Sequence, residues 1–230
     1  SMIGECGLHF YKVGRIATIM SEMKSLTTPY YVIYKNLIEG NHTVLLLEYN
    51  QDKKFFLDPK DALKGLLETE QGQARKVITE SNYVIIASRI GFKDQAIVSG
   101  KISSLKETDF GQPPHTIIIP GRLHFTESDA LKLFGKCVDE PFDNSEKTEK
   151  ISNQMIKKYV PMVREALEEI EPLYKNQKEF EVILDNAERY IKDAEIFLGE
   201  GRDENAILSI GYADGLVDAL RLAKGLEFKM

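Results

Sequence analysis

At 230 residues the chain can bury a substantial core, as one large domain or two small ones. Hydrophobic residues at 43% and charged residues at 29% suit a globular protein, and no apolar run approaches the ~20 residues of a membrane-spanning helix. A formal net charge of −6 speaks against broad nucleic-acid binding, so neither nucleic acid nor membrane is an expected partner.

The N-terminus lacks the basic-then-apolar layout of a secretion signal. Cys6 and Cys137 lie far apart with no CxxC, which predicts reduced thiols in a cytoplasmic protein. Residues 16–20, IATIM, read as a short strand. Residues 29–38 read as a helix with Tyr30, Ile33, Tyr34 and Leu37 on one stripe, closed by Gly40. A continuous apolar strand follows at 43–47, and 53–57 is expected to pair beside it as an edge strand whose lysines blunt the edge. Asp58 before Pro59 is an N-cap followed by proline at the first helical position, so a helix should run to about Glu70.

Residues 83–87, YVIIA, form another buried strand, 95–99 a shorter one, and 103–106 a short helix. Gly111 permits a turn, and Pro113-Pro114 hold the approach to the next residue extended. His115 then opens the β-branched run Thr116-Ile117-Ile118-Ile119, which Pro120-Gly121 stops abruptly. Main-chain groups near His115 and Gly121 are thereby held at the sheet edge. That suits ligand recognition, although a well-terminated core strand needs no ligand to explain it. A helix from Thr126 to Phe134 completes the series. Strands and helices mix without strict βαβ alternation, so the fold class is α+β.

The character changes at 141–145, which sets two domains, 1–143 and 144–230. The second carries 13 Lys+Arg against 18 Asp+Glu, a difference of −5, so most of the acidity is here. Ile151, Met155, Tyr159, Val163, Ala166, Leu167, Ile170 and Leu173 follow helical spacing, with Pro161 expected to kink or split that helix. A second helix carries Ile183, Ala187, Tyr190, Ile191, Ala194, Phe197 and Leu198, and Asp203 caps a third running to about Lys224. Three amphipathic helices on short links predict an antiparallel bundle.

His9, His42, His115 and His124 show no i, i+4 pair and no familiar ligand spacing, so no metal site is expected. Nucleophile-elbow, P-loop and dinucleotide fingerprints are absent, and no catalytic residue can be named. Asp214 and Asp218 lie one turn apart beside Gly211, Ala213 and Gly215. They could be an acid/base pair, but small residues that let helices approach, with aspartates facing water, account for them more simply.

Four blocks in order carry a resemblance: GLHFYKVGR at 7–15, TTPYYVIYKNLIEGNHTVLLLEY at 27–49, ASRIGFKDQAIVSGKI at 87–102 and DFGQPPHTIIIPGRLHF at 109–125. They resemble the C-terminal half of the diphthine synthase family, S-adenosylmethionine-dependent methyltransferases related to the tetrapyrrole methylases. Residues 144–230 resemble an archaeal helical domain family of unknown function. The first resemblance implies a two-lobed fold clasping S-adenosylmethionine, with Leu47, Ile90 and His115 as the cofactor-binding positions present here. It implies as substrate the amino group of a modified histidine on elongation factor two, on the way to diphthamide.

The family's glycine-rich N-terminal lobe has no counterpart in this sequence. A half-cleft should bind the cofactor weakly or not at all and be inactive or nearly so alone, and its apolar inner face should seek a partner lobe or a second copy. Two other readings stay open: a non-catalytic interaction module linked to translation, and a tetrapyrrole methylase relative.

Overall fold

The computed structural model describes residues 1–50, 52–175 and 177–226. The chain divides after Glu149 into two compact units, a few residues past the change of character in the sequence. The first unit holds α1 (Met2–Glu5), β1 (Ala17–Ile19), α2 (Thr27–Glu39), β2 (Thr43–Leu47), β3 (Tyr49–Asn50) and β4 (Phe55–Phe56). It continues with α3 (Pro59–Gln73), β5 (Tyr83–Ser88), β6 (Ala96–Lys101), α4 (Ile102–Leu105), β7 (His115–Ile119), α5 (Phe125–Phe134) and β8 (Lys136–Cys137).

Among the described residues the main sheet has six strands in the order β1-β2-β7-β5-β6-β8, the outer pairs β1–β2 and β6–β8 parallel and the inner ones antiparallel. The unit is α+β, as its mix of elements predicts. Alternation along the strands sorts side chains to two faces. Leu45, Ile86, Val84, Ile117 and Ile119 pack with α2 and α3 on one face. Val44, Ile85, Ala87 and Ile118 pack with Ile3, Cys6 and Leu131 on the other. Both faces are covered, which is why these strands read as unbroken apolar runs.

The local signals act as their chemistry requires. Gly40 closes α2 in the left-handed region at φ 75°. The Asp58 carboxylate accepts from Lys60 N at 2.7 Å and starts α3, with Pro59 in its first turn. Both cysteines are free; burial pushes the Cys6 thiol up to about 12.

Residues 53–57 depart from expectation. Among the described residues Phe55–Phe56 pairs with Tyr49–Asn50 in a separate ribbon, and the neighbours of β2 are β1 and β7. The expected partnership rested on proximity in sequence, which a two-residue strand is too short to enforce.

Residues 144–147 pack within the first unit. Asn144 is almost fully buried; its amide accepts from Tyr83 N at 2.8 Å and donates to Tyr83 O at 2.8 Å and Pro120 O at 2.7 Å. Asn144→Ala leaves three buried main-chain groups unpaired. It is expected to destabilise this unit by about 2–3 kcal/mol, measured by urea unfolding.

The second unit is helical: α6 (Ile151–Ile170), α7 (Lys178–Gly199) and α8 (Asp203–Ala223), each packed on the other two around a shared core. Pro161 does not split α6, which runs unbroken because Ile156, Val160 and Val163 on either side of it are buried in that core. Asp203 sits in the first turn of α8 rather than capping it and accepts from Lys150 Nζ at 2.8 Å. The close-approach account of the glycines also fails: a Cβ on Gly211 or Gly215 would meet nothing within 4 Å, whereas Ala213 is fully buried. Burial raises the Asp214 carboxyl, and Asp218 adds to the effect. No described helix is long and apolar enough to cross a membrane.

Candidate functional site

The strand register aligns one edge of the sheet. Ile19 pairs with Leu47, Leu46 with Thr116, Ser88 with His115, and Ser88 also with Ala96. The step beyond Leu46–Thr116 brings Leu47 level with His115, so one row crosses from β1 to β6. Leu45, Ile117 and Ile86 lie in the core under α2 and α3, and Leu47, His115 and Ser88, each two residues away, point to that same face. The sequence-predicted Leu47 and His115 are therefore together. Ile90 shares their edge of the sheet, but its side chain packs against the opposite core, leaving its backbone as the part near the row.

Hydrogen bonds lock the turns at this edge. Arg89 N donates to Pro114 O at 3.0 Å and Arg89 Nη1 to Pro113 O at 3.2 Å, across the cis Pro113–Pro114 bond. Arg89 Nε lies 2.7 Å from Asp94 Oδ2, and the guanidinium sits 4.4 Å from the Phe92 ring centroid. Arg89 has φ 50°, an uncommon conformation for a side-chain-bearing residue, and Gly91 and Gly111 on the same edge have φ 90° and 76°. Backbone held in sparsely populated regions concentrates at binding sites.

The polar accounting at this edge does not close. Ser88, 2% exposed, has an Oγ with no hydrogen-bond partner, and neither has the buried Nδ1 of His115 across the strand pair. Each buried polar atom left so costs about 1–3 kcal/mol. His115 Nε2 lies 3.2 Å from Gly111 O; a carbonyl only accepts, so this nitrogen is the donor of that bond. Sequence reading passed over Ser88 and Arg89. The only signal was that SRIG follows a strand and ends in a turn glycine.

A cleft of about 670 Å³ opens beside Ile19, at the β1 end of the row, between the 20–27 segment and α3. Leu47, Ile90 and His115 do not line it. Several of its polar side chains are already engaged: Ser21 with Glu48, Ser25 with Thr27, Gln73 with Tyr31 and Thr69 with Gly65 O. Among the described residues no buried unpartnered polar atom lines this cleft, whereas two lie at the row, so the row is the stronger candidate for a ligand.

A second polar cluster gathers three of the four histidines around Glu127, an arrangement that no spacing in the sequence announced. The fully buried carboxylate accepts four bonds: His9 N at 2.8 Å and His42 Nε2 at 2.9 Å on Oε1, Lys12 Nζ at 2.7 Å and His124 N at 2.8 Å on Oε2. Burial opposes its ionisation, but these donors prevail and hold the carboxyl at about 2. Gly121 N donates to His42 Nδ1 at 3.0 Å, so the single proton of His42 sits on Nε2, facing the carboxylate. Burial lowers the His42 pKa, against the pull of Glu127. Each carboxylate oxygen already has two donors, and among the described residues no group of His, Cys, Asp and Glu could hold a metal. The cluster ties three distant segments together, 9–12, the turn at His42 and 121–127. Its one legible trace was His124 three residues before Glu127, the spacing of a capping box, which the structure shows at the start of α5.

Against known proteins, 136 residues are 40% identical to "Diphthine synthase" of Methanocaldococcus jannaschii, covering 57% of this chain and 53% of that protein. The match to "Diphthine synthase" of Saccharolobus solfataricus is 35% identical over 133 residues, 57% of this chain and 51% of the relative. A crystal structure of diphthine synthase superposes with a TM-score of 0.51 at 26% identity, over 59% of this chain and 50% of that one. The chain is homologous to the diphthine synthases over about half its length. This diphthine-synthase-like stretch spans only about half of the curated relatives it matches. The family described as "Protein of unknown function (DUF357)" matches residues 158–226, within the helical unit. The diphthine-synthase-like lobe and the helical unit thus repeat the two-part organisation that the sequence blocks implied.

Proposed function

We propose that the first unit is the C-terminal lobe of a diphthine-synthase-type methyltransferase and supplies one wall of an S-adenosylmethionine site. The carrying observation is the sheet edge, where the apolar Ile19 and Leu47 stand in one row with two unbonded polar atoms on Ser88 and His115. A nucleoside matches this row, having an apolar face and a polar edge. Leu47 would bear on the apolar face, and the backbone near Ile90 and His115 would position it. S-adenosylmethionine, when bound, supplies a methyl group on a sulfonium, a good neutral leaving group.

Transfer of that kind needs alignment and an unprotonated amine more than an acid/base pair, which accords with the absence of a recognisable catalytic set in the sequence. The proposed acceptor is the amino group of the modified histidine on elongation factor two; the homology to diphthine synthases supports it. With half the contacts, this lobe alone should bind weakly.

Calorimetric titration with S-adenosylhomocysteine tests the reading, using the chain alone and mixed with the part of the M. jannaschii relative that the match leaves out. Binding at least about tenfold tighter in the mixture is expected, since contacts from two walls add. No heat in either sample would overturn it.

A second reading, a protein-contact surface for a partner or another copy, is supported by the exposed Phe10, Tyr11 and Phe125 grouped with His9 and His124.

A further inference from the structure

We propose that the helical unit carries a pocket for a single lysine side chain, presented by a protein partner whose contact surface is basic with apolar flanks. The pocket lies wholly within the second compact unit, so this inference stands apart from the methyl-donor reading.

A cavity of about 210 Å³ opens between α6 and α8, lined by Met155, Tyr159, Ile207, Ile210, Gly211 and Asp214. Residues three or four apart share a helix face, which is why each helix brings its set to one wall. The space falls below the ~300–1,000 Å³ that encloses a drug-sized molecule and suits one long side chain. Gly211 keeps the α8 wall open, since a Cβ there would meet nothing within 4 Å. Among the described residues Asp214 has no hydrogen-bond or ion-pair partner. Lys158 Nζ lies 5.4 Å from the Tyr159 ring centroid and does not pair with it.

The lining sets what the occupant must offer. A neutral apolar group would seal the carboxylate in without a partner, and an anion would be repelled. A single carboxylate gives a metal ion too few oxygens. Lysine brings an aliphatic stem for Met155 and the two isoleucines, and three N–H donors for Asp214. Burial and the neighbouring Asp218 both raise the Asp214 carboxyl, and a cation seated there relieves both. The surroundings point to a protein as the bearer. Residues 144–230 carry 13 Lys+Arg against 18 Asp+Glu, a difference of −5, and a surface of that sign draws basic partners. Leu208, one turn before Gly211, and Tyr212, next to it, are 56% and 55% exposed, apolar surface that residues beside a docked lysine would cover. Tyr212 is already held in place by stacking on Tyr190 at 5.5 Å.

The test is an NMR titration of the full 230-residue chain, ¹³C-methyl-labelled at methionine and isoleucine, with the peptide acetyl-Ala-Leu-Lys-Leu-Ala-amide and its norleucine counterpart. The Met155, Ile207 and Ile210 methyl signals should shift saturably, with the lysine peptide bound at least about tenfold tighter, the worth of a charge-assisted hydrogen bond. Asp214→Asn removes a half-buried charge that lacks a partner, so it should fold at least as stably as the parent and bind the two peptides alike. Gly211→Leu fills the open wall without a clash, so it should keep its helical circular dichroism and lose binding. Absence of a saturable shift with the lysine peptide, equal binding of both peptides, or full preference in either folded variant overturns the inference. Binding of n-butylammonium as tight as that of the peptide also overturns it, by making a free amine the occupant in place of a protein.

Discussion

Replacing Glu127 with alanine is expected to destabilise the first unit by about 3–5 kcal/mol, because it strands the Lys12 ammonium and three further buried or half-buried donors without their acceptor. Urea unfolding followed by far-UV circular dichroism measures this. The transition of the helical unit should stay in place, since Glu127 belongs to the other compact unit.

The same group predicts a pH dependence. Its folded pKa, about 2, lies below the ordinary 4.5, so the unfolded chain binds the proton more readily. Its contribution is therefore complete above about pH 4.5 and disappears as pH falls toward 2, a loss on the order of 3 kcal/mol. His42 acts in the same direction and earlier. Its folded pKa is lowered from 6.5, so stability begins to fall as pH drops below that value. The difference between the parent and Glu127→Ala should be flat near neutrality and shrink in acid. A difference that persists unchanged at pH 2.5 would show that the carboxylate's charge is not what holds these segments.

Gly121→Ala is expected to cost at least about 4 kcal/mol, in the range reserved for identifiable structural faults. The fault is space rather than backbone conformation. A Cβ there would lie 2.3 Å from the Asn41 carbonyl oxygen and 2.7 Å from Gly40 C. Both are main-chain atoms of the turn after α2, so neither can swing aside. That turn is also tied to Arg122 N through Gly40 O at 3.0 Å, and Gly121 N itself bonds His42. Moving it loosens the Glu127 cluster as well. Thermal unfolding would measure the loss; a shift of less than about 1 kcal/mol would mean the turn can relax.

The three central strands were legible because both sheet faces are covered, so 43–47, 83–88 and 115–119 are apolar at nearly every position. The caps of α2 and α3 were legible because Gly40 and Asp58-Pro59 do local work. A strand was legible around β4 but its partner was not, and β3 and β8 went unread, since strands of two residues have no period to detect.

At the candidate site, Leu47 and His115 could be placed at strand ends from their flanking sequence. That they align in one row depends on a register between β2 and β7, some seventy residues apart in the chain. The orphaned atoms of Ser88 and His115 could not be inferred at all, because being unpaired is a property of the surroundings and not of the residue. The Glu127 cluster was hidden for the related reason that its donors come from residues 9, 12, 42 and 124.

The outermost strands of the main sheet, Ala17–Ile19 and Lys136–Cys137, are three and two residues long. Flanks that brief offer too few free amides and carbonyls to template a foreign strand, so the sheet is poorly suited to growing sideways into polymers. Association of such a lobe with other chains has to use side-chain surfaces, because its sheet edges offer little backbone to pair with.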